Sequence, residues 1–137
     1  MGAATDPASI AAQMIPDHLI LKVNDIDESV GFYTTVLGWT DEGPQGPFRV
    51  LRLSAEFTIQ LAPWGTEGGE HLAFSMSPTE FDQVFERIRQ AGIPYGDAFH
   101  TVGQMNGPGV EVGAQGEGAS LYFFDPNHHL LEIRFYP

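Results

Sequence analysis

His18-Leu19-Ile20-Leu21-Lys22-Val23 near the start of the chain and His71-Leu72-Ala73-Phe74-Ser75-Met76 near its middle follow one pattern. Each run opens on a histidine behind an acid, Asp17 or Glu70, and then alternates, which is the period-2 signature of a strand. In the first run Leu19, Leu21 and Val23 share one face, and His18, Ile20 and Lys22 share the other. Each run also leads into a helix. Asn24 to Glu28 offers turn and N-cap chemistry ahead of Val30, Phe32, Tyr33, Val36 and Leu37, closed by Gly38. Pro78 to Gly92 carries the stripe Phe81, Val84, Phe85 and Ile88.

Short strands follow each helix. After the first come Trp39 to Glu42, a loop from Gly43 to Pro47, and the runs Arg49 to Ser54 and Phe57 to Ala62. After the second come Ile93 to Phe99, a glycine-rich loop from Thr101 to Gly118, and a closing hairpin of Ala119 to Phe124 and Leu130 to Tyr136 around Asp125-Pro126-Asn127. The expected architecture is α+β, with two tandem βαβββ modules, 17–65 and 69–137, in a single domain 17–137 behind a leader of residues 1–16. A repeat of one supersecondary unit predicts that the units close around a shared cavity. A structureless loop as long as Thr101 to Gly118 is uncommon in a compact domain, and lid and idle linker both remain open for it.

Composition narrows the function. The chain has 137 residues, 42% hydrophobic and 18% charged, a globular balance for one domain. Its 18 acidic residues against 6 basic ones give a net charge of −12, a field that repels phosphate backbones and anionic lipid, so neither nucleic acid nor membrane is an expected partner. The absence of cysteine removes thiolate ligands and fits a reducing, cytoplasmic setting. Any metal must be held by nitrogen and oxygen.

Those donors are in place. His18 and His71 both point away from the apolar faces of their strands. In Leu130-Leu131-Glu132-Ile133-Arg134-Phe135, the residues Leu131, Ile133 and Phe135 share one face, which leaves Glu132 on the other with Leu130, Arg134 and Tyr136. An inward carboxylate requires a cation, either Arg134, Lys22, Arg52 or a metal. Two histidines at matching places in repeated strands favour a divalent metal on His18, His71 and Glu132. Gln60, inward with Thr58 and Ala62, is a candidate fourth ligand. Phe48, Phe57, Trp64, Phe99, Tyr122 and Phe124 are candidate cavity walls, Arg134 a candidate anchor for an anionic group, and His128 and His129 exposed turn residues.

His18-x-x-Leu21-x-Val23, Ser29-x-x-Phe32-Tyr33, Leu37-Gly38-Trp39 and Asp125-Pro126-x-x-x-x-x-Glu132 resemble, in that order, the motifs of the vicinal-oxygen-chelate superfamily of glyoxalases, bleomycin-resistance proteins and extradiol dioxygenases. The resemblance covers Asp17 to Tyr136. It implies a cup-shaped half-barrel in which His18, His71, Glu132 and Gln60 hold Zn, Ni, Fe(II) or Mn and leave positions open for two adjacent oxygens of a small-molecule substrate. It also implies a homodimer with shared sites, His18 and Gln60 from one chain and His71 and Glu132 from the other. Glu132, Gln60 and Tyr122 then stand at the reacting centre, with Lys22, Arg134, Trp64 and Phe124 as substrate contacts.

The expected activity is that of a metal-dependent glyoxalase-like lyase or isomerase. Gln60 stands where glyoxalase I has a second ligand glutamate, and Lys22 and Trp64 replace an arginine and an asparagine associated with glutathione. A site of two histidines and one carboxylate also matches an extradiol-type ring-cleaving dioxygenase, with Tyr122 placed to touch substrate. Fosfomycin-type thiol transferases need basic residues for a phosphonate, which this acidic chain is short of. Drug sequestration of the bleomycin-resistance type is the third expectation.

Overall fold

The computed structural model describes residues 14–137. The leader expected over residues 1–16 therefore lies, up to residue 13, outside the described residues; residues 14–17 run exposed and irregular into the first strand.

The first module contains β1 (His18–Lys22), α1 (Ile26–Thr35), β2 (Thr40–Gln45), β3 (Phe48–Arg52) and β4 (Thr58–Ala62). Asp25 caps α1 by accepting from the Glu28 amide, with Asp27 and Glu28 placed to favour the positive end of the helix dipole. The second module contains β5 (His71–Ser75), α2 (Pro78–Gln90), β6 (Tyr95–Gly96), β7 (Gly109–Gly113), β8 (Gly116–Phe124) and β9 (Leu130–Phe135). Ser77 caps α2, Pro78 occupies its first turn and Arg87 and Arg89 its last.

Each module makes one open sheet of the same topology. The first has strand order β1-β4-β3-β2 and the second β5-β9-β8-β6, and the first strand of each pairs in parallel with the last. The expected α+β repeat is thus the observed fold, with two sheets that do not close on each other.

Two expectations in the second module are corrected. Thr101 to Gly118 is not one loop, since Gly109–Gly113 pairs antiparallel with Gly116 to Ser120 and adds a fifth strand to the sheet. The strand expected over Ile93 to Phe99 shrinks to Tyr95–Gly96. The glycines that read as loop are instead demanded by packing: a Cβ on Gly109 would lie 2.6 Å from the Asp97 carbonyl oxygen, and one on Gly118 2.5 Å from that of Phe135.

One buried cluster draws on both modules. Leu21, Val23, Ile59 and Leu61 meet Tyr33 of α1 and Val36 at its C-cap, Phe81, Val84 and Ile88 of α2, and Leu121, Phe123, Leu131 and Ile133 of the second sheet. Each such side chain contributes about 1.5–3 kcal/mol on burial.

A polar joint reinforces this core where β8 turns into β9. Asp125 accepts from the Tyr33 hydroxyl at 2.6 Å, and Asn127 donates to Ser29 and accepts from the Asn24 amide. The ring of His129 reaches the Lys22 carbonyl at 2.8 Å through Nε2 and accepts from the Glu70 amide through Nδ1. His129 is therefore not an exposed turn residue but is fully buried, because the ends of β1 and β5 leave backbone groups that only a side chain from this turn can satisfy. His128 is exposed as expected, with φ at 68° and its ring stacked on Phe124. Among the described residues no helix is long and apolar enough to cross a membrane.

Candidate metal centre

The second sheet brings His71 and Glu132 together. β5 and β9 run parallel with Ala73 opposite Glu132, so His71 at the start of β5 lies diagonally across from the carboxylate on the open face, and Nε2 sits 3.0 Å from Oε1. Glu132 is only 5% exposed, while half of the His71 side chain is open to solvent. A buried carboxylate requires compensation. Its other oxygen accepts from Arg134 Nη1, and the Arg134 Nη2 donates to the Glu111 carbonyl at 2.8 Å.

The first sheet repeats this layout. β1 pairs in parallel with β4 so that Ile20 faces Gln60. Ile20 follows His18 by two residues, as Ala73 follows His71, so Gln60 is the counterpart of Glu132 in the same register. His18 and Gln60 share the open face of this sheet, while Leu21, Ile59 and Leu61 turn to the core. The side chains of His18, Gln60, Arg52, Glu42 and Glu56 line one depression, and those of His71, Tyr122, Glu132, Arg134 and Gln115 line another. Asp17 pairs with Nδ1 of His18 at 2.7 Å, a contact that leaves Nε2 as the lone-pair nitrogen. Gln60 donates to Gln45 at 3.4 Å.

The other expected contacts scatter. Tyr122 on β8 stands opposite Glu132 on β9, with its ring 6.1 Å from that of His71, and its hydroxyl donates to the Glu111 carboxylate at 2.5 Å. Desolvation and that bond push the Tyr122 phenol above its ordinary range, so it stays protonated. Lys22 lies at the far end of β1 on the His18 face and is exposed. Trp64 is exposed and meets Phe48 edge-on at 5.6 Å. Phe124 ends β8 beneath His128 and is not among the side chains around Glu132. Arg134, expected as an anchor for an anionic group or as the cation paired with Glu132, is engaged by Glu132.

Glu111 was missed in the sequence. Its strand hides in a glycine-rich stretch, and the pattern Val110-Glu111-Val112 is inverted: the valines are 70% and 79% exposed, and the acid turns in to Tyr122. Alternation around Glu111 was the available signal, and it pointed the wrong way.

Among the described residues no three metal-binding groups gather in one place. His71 with Glu132 and His18 with Gln60 are two nitrogen-and-oxygen donor pairs at equivalent register on the open faces of the two sheets. The donors fit a divalent metal in chemistry and in number when the two faces are brought together.

A family model described as the Glyoxalase/Bleomycin resistance protein/Dioxygenase superfamily matches residues 15–133. The glutathione transferase FosA of Serratia marcescens is 30% identical over 124 residues, covering 85% of this chain and 77% of that protein. The virulence protein STM3117 of Salmonella typhimurium is 33% identical over 130 residues, with 88% and 83% covered. Among solved structures, the oxidase ChaP-H2 superposes with a TM-score of 0.75 at 28% identity, covering 90% of this chain and 94% of its own.

Proposed function

The chain belongs to the glyoxalase/bleomycin resistance protein/dioxygenase superfamily, and from that premise we propose that it is a metal-dependent, glyoxalase-like lyase or isomerase that acts on a small molecule with two adjacent oxygens. The supporting observation is the matched register of two incomplete donor pairs, His18 with Gln60 and His71 with Glu132, on the open faces of two like sheets. A homodimer that apposes the first sheet of one chain to the second sheet of another completes the set.

A divalent metal there would supply a Lewis acid for the two substrate oxygens. The protein residues do the rest. Glu132 is the one carboxylate of the set and so the candidate base; the Arg134 bond on its second oxygen holds the other oxygen toward His71. Gln60, a neutral amide, orients and cannot abstract a proton. Tyr122 keeps its proton and spends it on the Glu111 carboxylate, which fixes the phenol ring beside His71 and Glu132.

One observation favours a second reading. Two histidines with a single carboxylate is the donor set of ring-cleaving dioxygenases, and a solved oxidase shares the fold. Reconstitution with Zn, Ni, Mn and Fe(II), followed by elemental analysis, tests both. Retention of Ni or Zn with isomerase turnover supports the lyase reading; oxygen uptake with Fe(II) or Mn and a catechol supports the dioxygenase. Protein that keeps none of the four metals sinks the metal centre itself.

A further inference from the structure

Resting on the metal-centre reading, we propose that Glu111 is a specificity-determining residue that turns the site toward uncharged or cationic vicinal-oxygen compounds and away from anionic ones. Its carboxylate takes the Tyr122 hydroxyl at 2.5 Å, and its backbone carbonyl takes an Arg134 amine at 2.8 Å. The one strong cation near Glu132 is thus engaged by a carboxylate and a carbonyl. Its Nε and the Ser120 hydroxyl, both buried on this face, are the side-chain atoms left without a partner among the described residues.

Charge counting across the two faces points the same way. Asp17, Glu42, Glu56, Glu111 and Glu132 stand against Arg52, Arg134 and, at the far end of β1, Lys22, and Arg52 is held by Glu42. An added anionic group therefore meets uncompensated carboxylates and no free guanidinium. Glu111 is the acid the β7–β8 hairpin places directly against Tyr122, one strand away from Glu132. Gly113 permits this seating, because a Cβ there would fall 2.5 Å from the Arg134 guanidinium carbon and the Tyr136 hydroxyl.

The test uses three ring diols that share the catechol core and carry an anionic substituent, none, or a cationic one: 3,4-dihydroxybenzoate, catechol and dopamine, titrated calorimetrically into the zinc-loaded protein at pH 7. A unit charge several ångström away at an effective dielectric near 20 gives a discrimination of about tenfold or more. Dopamine is expected to bind at least about tenfold more tightly than dihydroxybenzoate, and Glu111→Gln to bring the two within about threefold. Tyr122→Phe frees the Glu111 carboxylate without removing its charge, so the preference for the cation persists or widens. Glu67→Gln, an exposed neutralisation elsewhere, leaves the ratio unchanged and separates the local effect from the overall field. Equal binding of all three ligands by the wild type, an unaltered ratio in folded Glu111→Gln, or a collapsed ratio in Tyr122→Phe overturns the proposal. Failure of the protein to load zinc instead removes the metal-centre reading beneath it, and failure of all three ligands to bind the loaded protein overturns the proposal.

Discussion

Mixing two inactive variants tests whether the site is shared. His18 and His71 suit this because their side chains are 46% and 50% exposed, so truncation leaves neither a cavity nor an unpaired buried charge. In His18→Ala homodimers both sites lack the first-sheet nitrogen, and in His71→Ala homodimers both lack the second. A mixed dimer has one doubly damaged site and one intact site, built from His18 and Gln60 of one chain and His71 and Glu132 of the other. Random reassortment after refolding an equimolar mixture makes about half the dimers mixed, so about a quarter of all sites are restored. The assay is tightly bound metal per chain after gel filtration, with each variant alone near zero and the mixture at about 0.25 of wild type. Recovery climbs with the mixed-dimer fraction as the ratio is varied. Two folded variants that show no recovery when mixed, despite demonstrable exchange of chains, would mean that each site lies within one chain and would refute the reasoning. Full metal retention by either single variant would refute it too.

Three further outcomes are expected. Glu132→Ala leaves the Arg134 guanidinium, 4% exposed, without its carboxylate; the loss in urea melts should be about 3–5 kcal/mol, and adding Arg134→Met should recover much of it. Burial and the Asp125 contact push the Tyr33 hydroxyl above its ordinary range. The unfolded chain therefore releases that proton first, and stability falls as pH rises past about 10, by about 1.4 kcal/mol per pH unit for this group. Tyr33→Phe should show a shallower alkaline slope in pH-dependent melts while costing about 1–2 kcal/mol at neutral pH through the orphaned Asp125 acceptor. Gln60→Glu installs a second carboxylate at the register position equivalent to Glu132 and should raise zinc affinity by at least about tenfold in competition with a chelator; unchanged affinity would place Gln60 outside the metal's reach.

The repeat was readable because alternation and helical spacing are local, and the two copies reinforce each other around His18 and His71. The face taken by the candidate donors followed from the same alternation: with Leu21, Ile59, Leu131 and Ile133 in the core, Gln60 and Glu132 take the opposite, open faces of their sheets. What escaped depended on neighbours distant in sequence. Gly109, Gly113 and Gly118 read as loop although their missing side chains make room for Asp97, Arg134 and Phe135. His129 read as a turn residue because nothing near it in sequence reveals the Lys22 carbonyl it meets 107 residues away. For Arg134 the pairing with Glu132 was open to sequence, but its bond to the Glu111 carbonyl was not, because that strand was concealed by glycine.

The joint between Asp125 and His129 also sets a timetable. Tyr33, Ser29, the Asn24 amide and the Lys22 carbonyl find their partners 92 to 107 residues downstream. A ribosome delivers the first module long before the turn that satisfies it, so the polar ends of that module stay bound to water until residues 125–129 emerge. A chain stopped at Phe124 would keep every strand of its first sheet and yet lack the stitches that hold that sheet to the rest.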